Sequence, residues 1–407
     1  MSTTLITNIK SLLQTDDGSR KLVSGKDMAV IPSIDTAWIL IENNHIHSFG
    51  TMDTVPERAD NYKDATGKFV LPAWCDSHTH LVFADSREEE FVMRIQGKTY
   101  EQIAEAGGGI LNSARKLQAM DFELLYEKTA QRLEEVMSYG TGAIEIKSGY
   151  GLTTESEIKM LKVIRKLKEN YAIPIKATFL GAHAIPLEYK SNRQGYIKLL
   201  IEEMLPKIAA EGLADYCDTF CEKGFFSVDE TDTILQAAAK FGLKPKIHAN
   251  QLSNSGGVQV GVKNNAISVD HLEEIGEAEI QSLLNSKTLP VALPSCSFFL
   301  GIPYSPGRKI IDAGLPFVLA TDFNPGSTPS GNIPFVVSLA CIRMKLTPEE
   351  AINAVTINGA KAMELENEVG TIAVGKRANL IITKPMKNIA YMPYAFGTNH
   401  IDEVIIG

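Results

Sequence analysis

Two histidines one residue apart close an apolar run: Val70-Leu-Pro-Ala-Trp-Cys-Asp-Ser-His78-Thr79-His80. Read as a buried strand, the run turns both imidazoles to one face, about 6–7 Å apart along the chain, because residues i and i+2 share a face. Neutral imidazoles so placed can converge on one cation, and imidazole suits zinc, iron and other borderline metals. The spacing alone is weak. His45-Ile46-His47 repeats it after a turn signal, with no carboxylate or third histidine positioned to join it. The pair carries chemistry only if other elements bring further donors to it.

Such donors recur along the chain. Short apolar runs occupy residues 70–76, 143–147, 175–180, 216–220, 245–248, 266–270, 289–294 and 316–321. Amphipathic stretches such as 122–139, 155–170, 192–211, 228–241 and 276–284 lie between them. Eight strand–helix units favour a closed α/β architecture, the (β/α)8 barrel, over an open sheet, and such a barrel gathers its reactive groups at the carboxyl ends of its strands. There the first run offers His78 and His80, and the second leads into Lys147-Ser-Gly-Tyr150. The third reaches His183, and the fourth ends Cys221-Glu222-Lys223. The fifth ends at His248 with Gln251 close behind, the sixth at Asp270-His271, and the eighth at Thr321-Asp322 before Asn324-Pro-Gly326-Ser327. Five of the eight histidines therefore fall on one predicted rim.

The two ends of the chain have a different texture. Residues 4–9, 27–31 and 37–41 alternate apolar and polar, and Asn43-Asn44 marks a hairpin turn before 45–49. Residues 370–383 and 400–406 read the same way. A small β-sandwich domain built from 1–69 plus 366–407 is expected, beside a barrel at 70–365. The longest interval between barrel runs holds the acidic residues 85–90 and Gly107-Gly108-Gly109, as an insertion over an active site would. The triple glycine lacks the Gly-Lys-Ser/Thr of a phosphate loop. Cys217 and Cys221 read as packing residues rather than a metal pair.

A formal charge of −9 disfavours nucleic-acid and anionic-membrane partners and says little about a small-molecule substrate, which responds to local charge. Hydrophobic content of 44% and charged content of 22% describe an ordinary globular protein. The first residues lack a basic then apolar leader, and no apolar stretch nears the roughly 18 residues that span a bilayer. Five scattered cysteines favour reduced thiols. A cytoplasmic location is the expectation.

The apolar strand ending in Asp-x-His-x-His, the later strand-end histidines and the final strand-end Asp resemble the amidohydrolase superfamily. The tail Thr371-Ile-Ala-Val-Gly-Lys-Arg-Ala-Asn379-Leu-Ile-Ile is similar too, with Asn379 where the superfamily usually carries Asp. A finer resemblance, over nearly the whole chain, is to the imidazolonepropionase family. It rests on Asp76-Ser-His-Thr-His-Leu-Val-Phe-Ala-Asp-Ser-Arg87, Ala106-Gly-Gly-Gly-Ile110, Glu145-Ile-Lys-Ser-Gly-Tyr-Gly151, Phe179-Leu-Gly-Ala-His183 and Thr321-Asp-Phe-Asn-Pro-Gly-Ser327.

That resemblance implies one divalent metal ion per chain, zinc or iron, held by His78, His80, His248 and Asp322. It implies that Arg87, Tyr150 and His183 hold substrate, with Asn324, Gly326 and Ser327 near the product, and that the protein is a homodimer. Gln251 stands where some members carry Glu; it can hydrogen-bond to substrate but cannot titrate. The implied reaction is the hydrolytic ring opening of 4-imidazolone-5-propanoate to N-formimidoyl-L-glutamate in histidine degradation, by metal-activated hydroxide. Asp322 would carry the proton, His271 would orient the nucleophile or stabilise the oxyanion, and Arg87 would clamp the propionate. The alternatives are a superfamily deaminase of the cytosine or guanine type, a two-metal lactamase with a carboxylated lysine at Lys223, and a non-catalytic metal-binding scaffold.

Overall fold

The computed structural model describes residues 2–98, 102 and 108–407. Five strands open the chain: β1 (Thr3–Leu13), β2 (Ser33–Glu42), β3 (His45–Thr51), β4 (Asn61–Asp64) and β5 (Phe69–Pro72). Eight follow: β6 (Trp74–Thr79), β7 (Thr141–Lys147), β8 (Ile175–Ala182), β9 (Tyr216–Cys221), β10 (Lys244–Ala249), β11 (Ser268–His271), β12 (Leu289–Ala292) and β13 (Val318–Leu319). β14 (Leu380–Thr383) and β15 (Ile401–Ile405) come last.

The eight middle strands pair in parallel in simple chain order from β6 to β13, which is the expected barrel. Its closure is brief, because β13 has only two ladder residues. Beyond them the chain continues alongside β6: Asp322 N donates to His78 O at 3.0 Å and His80 N to Phe323 O at 2.8 Å. The intervening helices start where the sequence supplies caps. Thr153 accepts from Ser156 N ahead of the helix Thr154–Asn170, and a Ser227/Glu230 capping box opens Val228–Ala239.

Both termini meet in one seven-stranded mixed sheet, ordered β15-β14-β5-β1-β2-β3 with β4 also on β1. Ile6, Ile9, Leu12, Ile39, Val70 and Leu380 fill its core. The Asn43-Asn44 turn has φ of 48° and 68°, the left-handed pair that a two-residue hairpin needs.

Three strand expectations change. The apolar run at 70–80 is two strands: β5 stays in the small sheet against β14, and β6 enters the barrel against β7. Residues 27–31 fall largely in the 3-10 turn Gly25–Ala29, whose Met28 is buried and whose Gly25 N donates to Leu315 O of the barrel. Of residues 370–383 only 380–383 form a strand, β14; Gly370 and Gly375 before it take φ of 88° and 86°, outside the extended region of a regular strand. Ala106 and Gly107 of the glycine run lie outside the described residues.

Candidate active site

Closure of the barrel brings the metal-type donors together. His78 Nε2 and His80 Nε2 lie 3.3 Å apart, as do His80 Nε2 and His248 Nε2. Asp322 Oδ1 lies 3.5 Å from His78 Nε2 and 3.4 Å from His80 Nε2. Ligands of a tetrahedral ion with bonds of about 2.1 Å stand about 3.4 Å apart, so each of these pairs has the spacing of donors that share one cation; among the described residues the donors lying within 4.8 Å of one another group as His78/His80/Asp322, His78/His248/His271 and His271/Cys296/Asp322. The ring orientations agree. His78 Nδ1 donates to Asp270 Oδ2 at 2.6 Å and His248 Nδ1 faces Asp218 Oδ2 at 3.0 Å, which leaves each Nε2 lone pair free to point inward.

All four residues are buried. Burial holds the His78, His80 and His248 imidazoles below their ordinary range, so they are neutral donors. Burial would raise Asp322, but His80 and His271 beside it hold its carboxyl at about 2. Three neutral imidazoles around one carboxylate suit a borderline divalent cation. Asp322 and His271 also carry left-handed backbone, with φ of 58° and 88°, a strain that clusters at functional sites.

Of the twelve residues given a role in binding or chemistry, eleven line one cavity of about 480 Å³, and His78 is buried. Arg87 donates through Nε to Ser113 Oγ at 2.8 Å, while its buried Nη2 has no hydrogen-bond partner among the described residues. Its guanidinium packs over Gly326, where a Cβ would come within 2.5 Å of Nη1. His183 Nδ1 donates to Gly149 O at 3.0 Å and its ring stacks on His80 at 5.4 Å between centroids. Burial raises the Tyr150 phenol, which keeps its proton as a donor. Asn324 spends its side chain on its own loop: Nδ2 donates to Asp322 O and Ser327 Oγ, and Oδ1 accepts from Gly326 N and Ser327 N. Ser327 Oγ in turn donates to Asp322 Oδ2 at 3.3 Å. Gln251 Nε2 donates to Cys296 Sγ at 3.4 Å. His271 Nδ1 lies 3.7 Å from Glu273 Oε1; burial would lower this imidazole, but Glu273 and Asp322 raise it above its usual value.

Several residues that the site depends on escaped the sequence reading. Glu157 accepts from the backbone N–H of Gly149, Gly151 and Leu152, fixing the loop that carries Tyr150. Glu222 accepts from Leu252 N and Ser253 N, tying down the loop that follows Gln251. Asp218 and Lys147 lie inside the barrel. Lys147 had a signal, since Glu145/Lys147 and Lys246/His248 are i, i+2 pairs of ionisable residues in barrel strands, like His78/His80, whereas Asp218 had none of that kind. Lys223, the candidate for a carboxylated lysine, sits instead in a separate cleft with Arg193 and Glu230.

The barrel with this donor cluster at its mouth defines an amidohydrolase. The Amidohydrolase family profile matches residues 69–407, and the chain belongs to that family. It is 60% identical over 405 residues to the imidazolonepropionase of Christiangramia forsetii, covering 99% of this chain and 98% of the relative. To that of Flavobacterium johnsoniae it is 61% identical over 404 residues, with 99% and 98% covered. To that of Alkaliphilus oremlandii it is 42% identical, with 98% and 96% covered. Within the family the chain stands with the imidazolonepropionases. Among solved structures, guanine deaminase from C. acetobutylicum superposes with a TM-score of 0.73 at 15% identity, covering 100% of this chain and 99% of that one. A triazine hydrolase variant gives 0.75 at 15% identity, with 99% and 93% covered. Those two likenesses concern the fold.

Proposed function

We infer that the protein hydrolyses the ring of 4-imidazolone-5-propanoate to N-formimidoyl-L-glutamate. The observation that carries this reading is one cavity with a four-donor cluster at its floor and, on its wall, a guanidinium whose Nη2 has no partner among the described residues. A ring that bears a propionate uses both, whereas a nucleobase offers no carboxylate for the guanidinium to clamp.

Cyclic amides resist water at neutral pH. One zinc or iron ion held by His78, His80, His248 and Asp322 would polarise the ring carbonyl and bring a water's pKa to about 7. Arg87 binds the propionate, and each charge-assisted hydrogen bond contributes about 1.5–3 kcal/mol. Tyr150, His183 and Gln251 orient the ring, and the Asn324–Ser327 loop carries Gly326 beneath Arg87. Asp322 accepts the proton of the attacking water and returns it to the departing ring nitrogen; its ionised carboxylate is the base this needs. His271, drawn toward the imidazolium form by Glu273, donates to the carbonyl oxygen as charge builds there.

Elemental analysis run beside a ring-opening assay tests the reading. One ion per chain, loss of ring opening on chelation and recovery on adding zinc or iron are expected. Ammonia release without ring opening, or a metal-replete protein inert toward the imidazolone, overturns it. We extend the proposal to a cytoplasmic homodimer. Among the described residues no helix is long and apolar enough to cross a membrane, and elution at the mass of a single chain overturns the dimer.

A further inference from the structure

Below the four donors the barrel interior holds charge in place of hydrocarbon. Glu145 and Lys147 on β7, Asp218 on β9, Lys246 on β10 and Asp270 on β11 are each 0% exposed. Taking a charge out of water costs several kcal/mol per ion, so such groups persist only when paired and hydrogen-bonded. Lys147 supplies most of that pairing. Its Nζ lies 2.6 Å from Glu145 Oε1, 2.9 Å from Asp218 Oδ2 and 3.9 Å from Asp270 Oδ2. Asp218 and Asp270 are the carboxylates that face His248 Nδ1 and His78 Nδ1. A single ammonium therefore reaches both of the groups that orient two imidazoles on different strands.

We propose that Lys147 is a positioning residue for the metal centre: by bridging Asp218 and Asp270 it holds His248 and His78 with their Nε2 lone pairs converged before any ion arrives. The inference rests on the reading of His78, His80, His248 and Asp322 as the ion's holders. Without the ammonium nothing ties the two carboxylates together, and each is free to turn to another donor and carry the imidazole it orients with it. Lys246 provides an internal comparison. It belongs to the same buried cluster, and its charge also favours the ionised Asp270, but its Nζ donates to Ser77 O at 2.9 Å and pairs with Glu145, so it bridges no pair of orienting carboxylates.

The test measures zinc affinity of metal-free protein by competition with a chromogenic chelator, beside thermal melts of the same samples. Lys147→Met is expected to weaken zinc binding by about 10–100-fold, the usual effect of losing an outer partner of a ligand, while Lys246→Met, which bridges no pair of orienting carboxylates, loses clearly less. In an Asp218→Asn background Lys147→Met is expected to cost much less, because its route through His248 is already cut. Unchanged affinity in Lys147→Met, or equal losses in both lysine variants, overturns the proposal. If Lys147→Met does not fold, Lys147→Met/Glu145→Gln removes one charge of each sign and decides the same comparison. A wild-type protein that binds zinc no better than His78→Ala sinks the metal reading itself. Wild-type binding matched by Lys147→Met sinks only the role of Lys147.

Discussion

The Asp322 carboxylate stands 3.4 Å from His80 Nε2 because the barrel closes between the strands that carry them. The backbone bonds of that seam, Asp322 N to His78 O and His80 N to Phe323 O, are the last rungs of the closure. Ligand geometry and barrel closure are thus one structural event. A change to the Asp322 side chain leaves those rungs intact, so its effect on chemistry separates from its effect on folding.

Asp322→Asn keeps the shape and the Ser327 contact but removes the anionic donor and the proton acceptor. Turnover should fall by about 10²–10⁴-fold, the range for losing a general base. The thermal midpoint of metal-free protein should stay level or rise, since a buried charge is gone. Steady-state kinetics beside a melt measures both, and turnover near wild type would remove Asp322 from proton transfer.

Gly326→Ala places a methyl group 2.5 Å from Arg87 Nη1, so the guanidinium must move. KM should rise by about 10–150-fold, the equivalent of one charge-assisted hydrogen bond at about 1.5–3 kcal/mol, with kcat and metal content much less affected. Arg87→Ala should reproduce the KM effect. A kcat loss with KM unchanged would place the loop in the chemical step instead.

The donors could be read from the sequence because each closes an apolar run, and a barrel collects run ends at one mouth whatever their separation in the chain. The orienting groups could not. Asp218 meets His248 only because β9 and β10 pair with Asp218 opposite Lys246 and Thr219 opposite Ile247, a register that no single strand records. Glu157 looks like an ordinary first-turn acid of its helix until the loop folds back to give it three N–H groups. The division of 70–80 between two sheets was hidden for a simpler reason: both halves are buried, so the apolar pattern runs through the joint at Pro72-Ala73 without a break.

Asn379, which departs from the superfamily's usual Asp, has a definite task at the junction of the two sheets. Its Nδ2 donates to Gly142 O at 2.6 Å and its Oδ1 accepts from Gly407 N at 2.9 Å. An ionised Asp has no hydrogen for the Gly142 carbonyl and would bury a charge against it. Asn379→Asp should therefore lose about 1–3 kcal/mol in denaturant unfolding near pH 7, with turnover at room temperature unchanged. Equal stability would mean that the Gly142 contact contributes nothing net.

Lys376 sets a pH dependence of stability that is separate from the chemistry. It is 4% exposed and donates to Glu366 O, Val369 O and Thr371 Oγ1. Burial, with Lys21 nearby, lowers its pKa from 10.5 to about 8. Between about pH 8 and 10 the unfolded chain then holds more protons at this site than the folded one, so its contribution to stability rises with pH across that window. Below about pH 8 both states are protonated and the slope vanishes. Lys376→Met should consequently cost more stability at pH 10 than at pH 7.5, measured as the difference between wild-type and variant unfolding free energies at each pH. A difference that shrinks as pH rises would reverse the assignment, since it requires a lysine whose charged form the fold prefers.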